Sequence, residues 1–493
     1  MGSFFSMEGE KMIPNWLIQR AHLTPDKKAL SFNGETWTFE QLKDQAMTLA
    51  RKLKANELNE GERVALLGFS NAEMVLIIHA CMLAGLEIVM LNSRLTPKEL
   101  DWQLDDSDAV AVIVADELQH LISNSSTRQL PFSTIRQSDE QSFQIQEIWD
   151  SNRTITIMYT SGTTGFPKGV RQTVGNHVSS ALASVLNLGL SDDDVWLCFM
   201  PLFHISGYSI LARSVLYGVE VKLYDKFDAV AAAEEIRTGS VTYMSAVSLM
   251  LEKTLHELEK GSAVAHPSFK AILAGGGPVP VGYLERANER KMPVLQTYGM
   301  TETSSQTATL SAEDAIRKMG SSGKPLFFNQ IKIKNSQKLG EIGEVLLRGP
   351  HITPGYIGRF QETNPFEEGW FPTGDLGYLD AEGYLFIVDR RSDLIISGGE
   401  NIYPAEIENV LAGHPSVREV GVCGKEDAKW GNVPVAFVVI SDDVTAEQLT
   451  DYCTERLARY KVPKEFYVVE NLPRNGANKL VRRQLREWTG VQQ

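Results

Sequence analysis

Cysteine is scarce in this sequence and is not arranged for metal or redox chemistry. Only four of the 493 residues are cysteines; they lie far apart, each in an apolar or helix-like setting. A Cys-x-x-Cys pair, common in zinc sites and dithiol redox centres, is absent, and the histidines form no metal-type cluster. We therefore expect buried thiols in a reducing compartment. A Ser-His-Asp set is also absent, which argues against covalent catalysis.

The sequence also lacks a long apolar run. The longest, Met74 to Leu86, is interrupted by His79 and is too short to cross a bilayer. Residues 1–11 include acidic side chains and no apolar stretch of signal-peptide length. These two absences predict a cytoplasmic protein with no membrane partner.

Positive charge is in deficit. With 48 Lys and Arg against 62 Asp and Glu, the formal net charge is -14, which argues against nucleic acid as a partner. An anionic ligand must therefore be held by a local site. The length and the 43% hydrophobic content are typical of a globular protein with several cores. Composition leaves open whether the chain forms a homo-oligomer.

Strand-like and helix-like segments alternate in the first third of the chain. Apolar runs at 64–67, 88–91 and 109–115 accompany a helix-like segment from Asn71 to Ala84, and this alternation predicts an α/β sheet with parallel strands. The polar stretch from Asp116 to Arg153 is interpreted as a surface connection. Three capping-box patterns mark helix starts, namely Thr38 with Gln41, Ser70 with Glu73, and Thr96 with Glu99.

The second half of the chain predicts smaller modules. Short alternating strands with Gly and Pro turns indicate a β-rich subdomain at about 324–388. Charges cluster from Asp389 to Asp393, and we place the main domain boundary there, which gives domains of residues 1–390 and 391–493. The second domain alternates strands and helices and is long enough for one compact α+β module.

The sequence is organised around Ile155 to Val170, a β-branched run that turns abruptly into glycines and hydroxyls. The nucleoside triphosphatase P-loop is absent, because Phe-Pro-Lys-Gly follows the second glycine. An ordinary Ser/Thr/Gly turn is the alternative, but so many such residues directly after a buried-type strand favour a polyphosphate site. The candidate phosphate residues are Thr160, Ser161, Gly162, Thr163, Thr164, Gly165 and Lys168.

Further motifs continue in a recognisable order. Glycine-rich breaks at 275–277 and at 298–302 follow apolar runs and are typical of strand ends at a ligand cleft. With Thr373-Gly374-Asp375, Asp389-Arg390 and Lys479, the whole chain resembles the adenylate-forming enzymes, the superfamily of acyl-CoA synthetases, luciferases and peptide-synthetase adenylation domains. The resemblance implies an α/β fold: a large N-terminal domain of α/β sheets with a small β-rich subdomain, and a small mobile α+β C-terminal domain.

The resemblance implies ATP, Mg²⁺ and coenzyme A as ligands. Tyr298 and Gly299 would contact adenine, Thr301 the phosphates, and Glu302 would help to hold Mg²⁺, a hard cation that prefers oxygen ligands. Without its neighbours, Tyr298 would be read as core packing. The resemblance also implies that Gly275 and Gly276 form part of the wall of the nucleotide pocket.

Asp375 and Arg390 match the family's ribose-binding aspartate and arginine. Lys479 resembles the C-terminal lysine that neutralises charge during acyl adenylation, although an asparagine precedes it where many members carry glycine. A hinge at Arg391 and Ser392 would let the C-terminal domain first present this lysine and then open a path for the thiol of coenzyme A.

Within the superfamily the chain most resembles the o-succinylbenzoate:CoA ligases of menaquinone biosynthesis, through Thr303-Ser304-Ser305-Gln306 and Pro473-Arg474-Asn475. The implied acid is 2-succinylbenzoate, of which one carboxylate is activated and the other is a bound spectator. Polar groups in an apolar pocket would bind that spectator. The candidate substrate residues are His204, Ser206, Thr297, Ser305 and Gln306. The implied catalytic residues are Lys479, Glu302, Thr301 and His204, with a structural role as the alternative for His204.

Three other functions remain open. A CoA ligase for another aryl or medium-chain acid would differ only in its pocket. An amino-acid adenylation module is disfavoured because no carrier domain follows Lys479 and because Pro-Leu-Phe-His stands where amino-acid activators place an aspartate-bearing motif. A non-catalytic nucleotide-binding homologue is disfavoured by intact Glu302, Asp375, Arg390 and Lys479.

Overall fold

The computed structural model of the protein describes residues 12–122, 125–160, 166–277, 279–336, 338–397, 400–427, 429–476 and 478–489. The chain folds into two compact units. The first unit comprises Met1–Lys226, Met300–Ser305 and Pro350–Pro365, and the second comprises Phe227–Gly299, Gln306–Gly349 and Phe366–Gln493.

Helices and strands alternate through most of the described chain. The α-helices are α1 (Trp16–Leu23), α2 (Phe39–Ala55), α3 (Ala72–Leu83), α4 (Pro97–Ser107), α5 (Phe132–Gln137), α6 (Val174–Leu188), α7 (Ile205–Tyr217), α8 (Ala229–Thr238), α9 (Ser248–Lys260), α10 (Val281–Glu289), α11 (Asp314–Arg317), α12 (Pro404–Ala412), α13 (Ala446–Thr454) and α14 (Arg482–Thr489). The strands are β1 (Met12–Pro14), β2 (Lys28–Phe32), β3 (Glu35–Thr38), β4 (Arg63–Leu67), β5 (Glu87–Leu91), β6 (Ala111–Val114), β7 (Arg128–Pro131), β8 (Ile148–Asp150), β9 (Thr154–Thr160), β10 (Lys168–Thr173), β11 (Val195–Cys198), β12 (Glu220–Leu223), β13 (Tyr243–Ala246), β14 (Ala271–Ala274), β15 (Val294–Met300), β16 (Ser305–Thr309), β17 (Lys324–Pro325), β18 (Gln330–Ile333), β19 (Gly343–Arg348), β20 (Phe371–Leu379), β21 (Leu385–Arg390), β22 (Ile395–Ser397), β23 (Glu400–Ile402), β24 (Val417–Asp427), β25 (Gly431–Ile440) and β26 (Phe466–Val468). Short 3-10 turns occupy Asp116–Ile122, Thr301–Thr303 and Gly358–Phe360.

A six-stranded sheet in the order β10-β9-β5-β4-β6-β7 lies in the first unit. Strands β9, β5, β4, β6 and β7 run parallel to one another, and β10 returns antiparallel to β9. The central strands are apolar on both faces, and all four residues of β6 are fully buried, which is typical of a parallel sheet covered on both sides. The predicted parallel α/β sheet is confirmed.

The first unit also contains β11, β12, β2 and β3 as successive neighbours. Strands β11, β12 and β2 are parallel, and β2 and β3 form an antiparallel hairpin. Strand β1 pairs antiparallel with β8. Helix α7 follows β11 after a short connection, so residues at the start of α7 lie just beyond a strand end, where ligand-binding residues of α/β proteins commonly lie.

Two of the three predicted capping boxes form. Thr38 and Gln41 cap α2 reciprocally, and Thr96 and Glu99 cap α4 in the same way. The third prediction is wrong.

Asn71, not Ser70, caps α3, because its side chain accepts a hydrogen bond from the Met74 N–H. The Ser70 hydroxyl instead accepts a hydrogen bond from the Leu202 N–H at 3.1 Å. Asparagine caps a helix as well as serine does. The hydroxyl of Ser70 is instead occupied by the long-range hydrogen bond from Leu202.

The interpretation of 116–153 as a surface connection is also wrong. The segment forms a 3-10 turn, β7, α5 and β8, and β7 pairs in parallel with β6. Phe132, Ile135 and Trp149 are buried. Polar residues dominate the segment, but these few apolar side chains are enough to attach it to the sheet.

The second unit contains neighbouring strands in the order β17-β16-β15-β14-β13. Strands β13, β14 and β15 are parallel. A separate four-stranded antiparallel sheet, β18-β19-β20-β21, covers much of the stretch expected to be β-rich.

A five-stranded sheet with α12, α13 and α14 forms the C-terminal part of the second unit. Its order is β23-β22-β25-β24, with β26 parallel to β25. Ile402, Ile407 and Leu411 belong to a core on one face, and Phe437 and Leu485 to a second cluster. This mixture of helices and sheets agrees with the predicted fold class, while the domain boundary after residue 390 stays a prediction.

All four cysteines are buried, as predicted: Cys81, Cys198, Cys423 and Cys453. Among the residues that the structure describes, no helix is both long and apolar enough to cross a membrane.

Candidate active site

The predicted phosphate loop joins two paired strands of the first unit. Strand β9 ends at Thr160 and β10 begins at Lys168, and these two residues lie opposite each other in the antiparallel ladder. The predicted residues Ser161, Gly162, Thr163, Thr164 and Gly165 fall outside the described residues. The adjoining strands therefore fix both ends of the loop.

Lys168 lies among aromatic rings. Its Nζ is 5.1 Å from the ring centroid of Tyr356 and 5.3 Å from that of Phe360. Gly169, the next residue, lies so close to Ile357 that an added Cβ would be 2.5 Å from the Ile357 Cγ1. The glycine thus permits the segment at 355–357 to pair along the loop's second strand.

The predicted metal-binding turn follows β15 directly. Thr301 and Glu302 open the 3-10 turn that ends at Thr303, and the next two residues, Ser304 and Ser305, have φ values of 49° and 113°. These left-handed conformations stop the turn from continuing as a helix. Both Thr301 and Glu302 are partly exposed, so their side chains can reach a ligand.

The chemistry of this turn fits Mg²⁺. A carboxylate and a hydroxyl on consecutive residues supply oxygen donors, and Mg²⁺ in nucleotide enzymes uses one or two carboxylates together with substrate phosphates. Burial raises the pKa of Tyr356, and the nearby negative charge of Glu302 raises it further. Among the described residues, no group of three or more His, Cys, Asp or Glu side chains could bind a metal alone.

The predicted acid-binding residues of the first unit lie around α7. His204 is the N-cap residue of this helix, and its ring centroid is 4.7 Å from that of Phe203. Ser206 lies in the first turn and is partly exposed. Ser305 is joined to this helix by a hydrogen bond from Arg213, whose Nη2 donates to the Ser305 Oγ at 3.2 Å.

Arg213 is a residue that sequence reasoning missed. Its side chain is almost completely buried, with 3% of the residue exposed, and its guanidinium lies 5.4 Å from the ring centroid of Trp196. Burial lowers the pKa of Arg213 from its usual value. It lies seven residues after Ser206, on the same side of α7. In the sequence, the only sign of its role was an arginine placed within a largely apolar helix.

In the second unit, Tyr298, Asp375 and Arg390 are in contact. The Tyr298 hydroxyl donates a hydrogen bond to the Asp375 Oδ2 at 2.7 Å, and the Arg390 Nε lies 3.2 Å from the Asp375 Oδ1. Burial raises the pKa of Asp375, and the positive charges of Arg390 and Lys479 oppose that shift. Strands β20 and β21 fix the pair, because Asp375 lies opposite Arg390 in their ladder.

Lys479 lies against a glycine of the same unit. A Cβ added to Gly276 would be 2.9 Å from the Lys479 Cε and 3.6 Å from its Nζ, and the φ of Gly276 is +83°. Glycine adopts this conformation without strain, and a larger residue would also displace the end of the lysine side chain. The predicted nucleotide residue and the predicted catalytic lysine are therefore neighbours.

Thr297, Gln306 and Gly275 form a second small cluster in this unit. The Gln306 Nε2 donates a hydrogen bond to the Thr297 Oγ1 at 3.1 Å. An added Cβ on Gly275 would lie 2.8 Å from the Thr297 Cγ2. Gly299 lies on β15, one residue after Tyr298 and partly exposed.

The backbone of the two predicted hinge residues takes part in two hydrogen bonds. The Arg391 N–H donates to the Gly374 carbonyl at 3.0 Å, and the Arg486 Nη2 donates to the Ser392 carbonyl at 3.1 Å. The second bond connects this segment with α14. It was not visible in the sequence, because the residues are 94 positions apart.

Comparison with known proteins identifies the family. The model of the AMP-binding enzymes matches residues 17–357, and that of the AMP-binding enzyme C-terminal domain matches residues 406–479. The chain is 45% identical over 478 residues to 2-succinylbenzoate–CoA ligase of Bacillus subtilis, covering 96% of this chain and 98% of that protein. It is 47% identical over 479 residues to the Bacillus velezensis protein of the same name, at the same coverage.

Solved structures agree with this similarity. The o-succinylbenzoate CoA synthetase from Bacillus subtilis in complex with its acyl-adenylate intermediate superimposes with a TM-score of 0.89 at 45% identity, covering 97% of this chain and 98% of that chain. The same enzyme with ATP and magnesium ion has a TM-score of 0.88, covering 96% and 100%. The chain therefore belongs to the AMP-binding enzymes, in which it is similar along nearly its whole length to the 2-succinylbenzoate–CoA ligases.

Proposed function

We propose that this protein ligates 2-succinylbenzoate to coenzyme A at the expense of ATP, through an acyl-adenylate, with release of pyrophosphate and AMP. The observation that carries the reaction type is the approach of Lys479 to Gly276, in a unit that also holds the Tyr298, Asp375 and Arg390 cluster. The relatives at 45% identity support the choice of acid. As the sequence resemblance implies, the thioester belongs to menaquinone biosynthesis in the cytoplasm.

Adenine and ribose contacts are assigned to the second unit. Asp375 accepts hydrogen bonds from the ribose hydroxyls, an exchange in which a ligand diol replaces the present bond from Tyr298. The positive charge of Arg390 opposes the effect of burial on the pKa of that carboxyl and so favours its ionised form. Tyr298, held in position by strand β15, offers its ring to adenine, with Gly299 beside it and Gly275 and Gly276 as pocket wall.

Phosphate contacts are assigned to the first unit. Thr160, Lys168 and the loop between them bind the β- and γ-phosphates, and Thr301 contacts the phosphate that is attacked. Glu302 is the residue that would hold Mg²⁺, which neutralises charge on the phosphates when bound. Lys168 contributes a positive charge, and the rings of Tyr356 and Phe360 restrict the position of its ammonium group.

The first chemical step is attack of the acid on ATP. A carboxylate oxygen forms a bond to the α-phosphorus while the bond to the bridging oxygen breaks, and pyrophosphate leaves with that electron pair. Negative charge accumulates on the nonbridging oxygens, and the Lys479 ammonium neutralises it. In the second step the thiol sulfur of coenzyme A attacks the acyl carbon, the acyl–phosphate bond breaks, AMP leaves and the thiol proton is released to solvent.

The spectator carboxylate of the acid is assigned to the Arg213 and Ser305 pair. A buried guanidinium supplies a strong charge-assisted donor, and Ser305 already accepts one of its N–H groups at 3.2 Å. A carboxylate next to Ser305 would be bound by the serine hydroxyl and by the positive charge behind it. His204, the N-cap residue of α7, and Ser206, in its first turn, are also assigned to the acid. Thr297 and Gln306 stay predicted acid contacts.

The experiment that tests the proposal is pyrophosphate release from ATP with a panel of acids, with and without coenzyme A, followed by mass analysis of the thioester. We expect 2-succinylbenzoate to have the highest kcat/KM on a panel that includes benzoate, cinnamate and a medium-chain fatty acid. A clear preference for one of the other acids would refute the substrate assignment but would leave the proposed adenylation reaction standing. Absence of pyrophosphate release with every acid would refute both.

Replacing Arg213 should alter acid selection. In Arg213→Met, kcat/KM for 2-succinylbenzoate should fall by about tenfold to hundredfold, the range for a hydrogen bond to a charged group, because the spectator carboxylate loses its cation. Activity with benzoate, which has no second carboxylate, should change by less than about threefold. The measurement is steady-state kinetics with both acids.

The matched control for this change is Arg20→Met. Arg20 is a half-buried arginine of the same unit that donates to the carbonyls of Val215 and Leu216, both at 2.7 Å. Its loss should lower the temperature of thermal unfolding without changing the ratio of kcat/KM for 2-succinylbenzoate to kcat/KM for benzoate. Equal losses with both acids in Arg213→Met would contradict the assignment.

A further inference from the structure

We infer that Gln172 is a positioning residue that holds the Thr301–Glu302 turn in register with the strand of the phosphate loop. The inference deepens the proposed function and rests on it, because it concerns how the two parts of the polyphosphate site are kept at a fixed separation. All the contacts that carry it lie within the first unit.

Both ends of the Gln172 side chain are hydrogen-bonded. Gln172 lies on β10, four residues after Lys168, and is completely buried. Its Nε2 donates to the Thr301 carbonyl at 2.9 Å, across 129 residues of sequence. Its Oε1 accepts from the Thr156 hydroxyl at 2.7 Å. The amide therefore cannot rotate without breaking a buried hydrogen bond.

The orientation of that amide is set by a one-way chain of donors. The Thr156 hydroxyl uses its only proton toward Gln172, so at the 2.9 Å contact with the His177 Nε2 it must accept a hydrogen bond. Burial, with a smaller effect from the charge of Arg213, lowers the pKa of His177 to about 3. His177 is therefore neutral and carries its proton on Nε2, and the chain runs from His177 through Thr156 and Gln172 to the Thr301 carbonyl.

A second bond of the same kind fixes the next carbonyl of the turn. The Thr353 N–H donates to the Glu302 carbonyl at 2.7 Å. The Thr353 hydroxyl in turn lies within donor distance of two carbonyls, and the shorter contact, at 2.5 Å, is to Arg171 on β10, the other being to Gly355 at 2.8 Å. Two consecutive carbonyls of the turn are thus connected to two consecutive residues of the phosphate-loop strand.

The turn has few hydrogen bonds of its own. The Met300 N–H donates to the Thr303 Oγ1 at 2.9 Å and the Ser304 N–H to the Thr301 carbonyl at 3.2 Å. The positive φ values at Ser304 and Ser305 prevent the turn from continuing as a helix, so the bonds from Gln172 and Thr353 add to the hold on Thr301 and Glu302. Because Gln172 and Lys168 share β10, the glutamine couples the predicted metal carboxylate to the predicted phosphate lysine.

The test uses Gln172→Leu in the full-length protein. Leucine keeps about the same volume but removes the shorter of the two hydrogen bonds to the Thr301 carbonyl, leaving only the Ser304 N–H at 3.2 Å, so the dissociation constant of MgATP should rise by about tenfold to hundredfold. Adenosine has no phosphate, and its dissociation constant should change by less than about twofold. Calorimetric titration measures both, and it does so without turnover.

A split of the two half-reactions gives a second readout. The kcat for adenylation by Gln172→Leu should fall by about tenfold or more, because the metal carboxylate and the lysine lose their register. Conversion of chemically made acyl-adenylate and coenzyme A to thioester should stay within about twofold of the parent. Thr156→Val, which removes only the bond that orients the amide, should produce a smaller loss of MgATP affinity in the same direction and serves if Gln172→Leu does not fold.

Gln129→Leu is the matched control. The Gln129 Nε2 also donates to a backbone carbonyl, that of Ile122 at 2.8 Å, in the same unit but on β7. This variant should bind MgATP like the parent. Unchanged MgATP affinity in Gln172→Leu, or equal weakening of MgATP and adenosine, would overturn the inference. A parent protein that binds adenosine but neither binds MgATP nor adenylates any acid would refute the proposed function itself.

Discussion

Lys479→Ala should lose adenylation by about two to three orders of magnitude in kcat, the effect typical of removing an electrostatic donor to a transition state. The reason is the charge that accumulates when the acid attacks the α-phosphorus. Lys479 is held beside Gly276 and near Asp375, so its ammonium is already placed close to the predicted nucleotide contacts. Pyrophosphate release with ATP and 2-succinylbenzoate measures the loss.

The second half-reaction should survive this change. When acyl-adenylate and coenzyme A are supplied, Lys479→Ala should form thioester at near the parent rate. Lys464→Ala is the control, because Lys464 is an exposed lysine in the same part of the chain and should leave both steps nearly intact. Comparable losses in both steps would mean that Lys479 has another role, or that the substitution damages the surrounding fold.

Arg482→Met should destabilise the C-terminal part of the second unit by about 3–5 kcal/mol at pH 8, the cost of leaving buried carboxylates without their cation. The side chain of Arg482 is 13% exposed and contacts Glu408 at 2.6 Å, Asp393 at 3.2 Å and Asp389 at 3.9 Å. Burial alone would lower the pKa of Arg482, but these carboxylates raise it. Hydrogen exchange of the β24 and β25 amides measures the change in the free energy of unfolding.

This deficit should shrink as the pH falls. Burial raises the pKa of Asp389 to about 6, while the charge of Arg482 opposes the shift. Its pKa in the unfolded chain is about 4, so Asp389 contributes most to stability below about pH 4 and the contribution is lost as the pH rises through about 6. Without Arg482 the folded pKa rises further, and protonation of Asp389 near pH 5 relieves the buried charge.

The control for this prediction is Arg483→Met. The Arg483 side chain is 81% exposed and lies 3.6 Å from Glu487 one helical turn away, a surface pair whose loss should cost under about 1 kcal/mol. A deficit in Arg482→Met that is as large at pH 5 as at pH 8 would show that the carboxylates are not its cause.

Features encoded in short stretches of sequence were predictable. Periodic apolar runs predicted the parallel sheet, because a buried strand or helix face must repeat at the spacing of its own geometry. The reciprocal caps at Thr38 and Thr96 were visible because both partners lie three residues apart. The order of the motifs from Thr160 to Lys479 was enough to predict the family. The role of each of these residues in binding or catalysis stays a prediction.

Where the local signal was ambiguous, the tertiary structure decided. Ser70 and Asn71 are both good caps, and only the long-range bond from Leu202 determined which residue capped α3. The polar stretch at 116–153 joined the sheet because a few apolar residues, Phe132 and Trp149 among them, found a buried surface that no local pattern describes.

By itself, then, the sequence determined the class of fold, the family and the segments that could bind nucleotide, because each depends on short motifs or on the order in which they follow one another. The tertiary structure alone decided that Arg213 reaches Ser305 across 92 residues and that Gln172 reaches Thr301 across 129. A buried amide or guanidinium must find a hydrogen-bond partner wherever the fold brings one. Which partner that is depends on the packing of whole elements, and the residues next to it in sequence do not specify it.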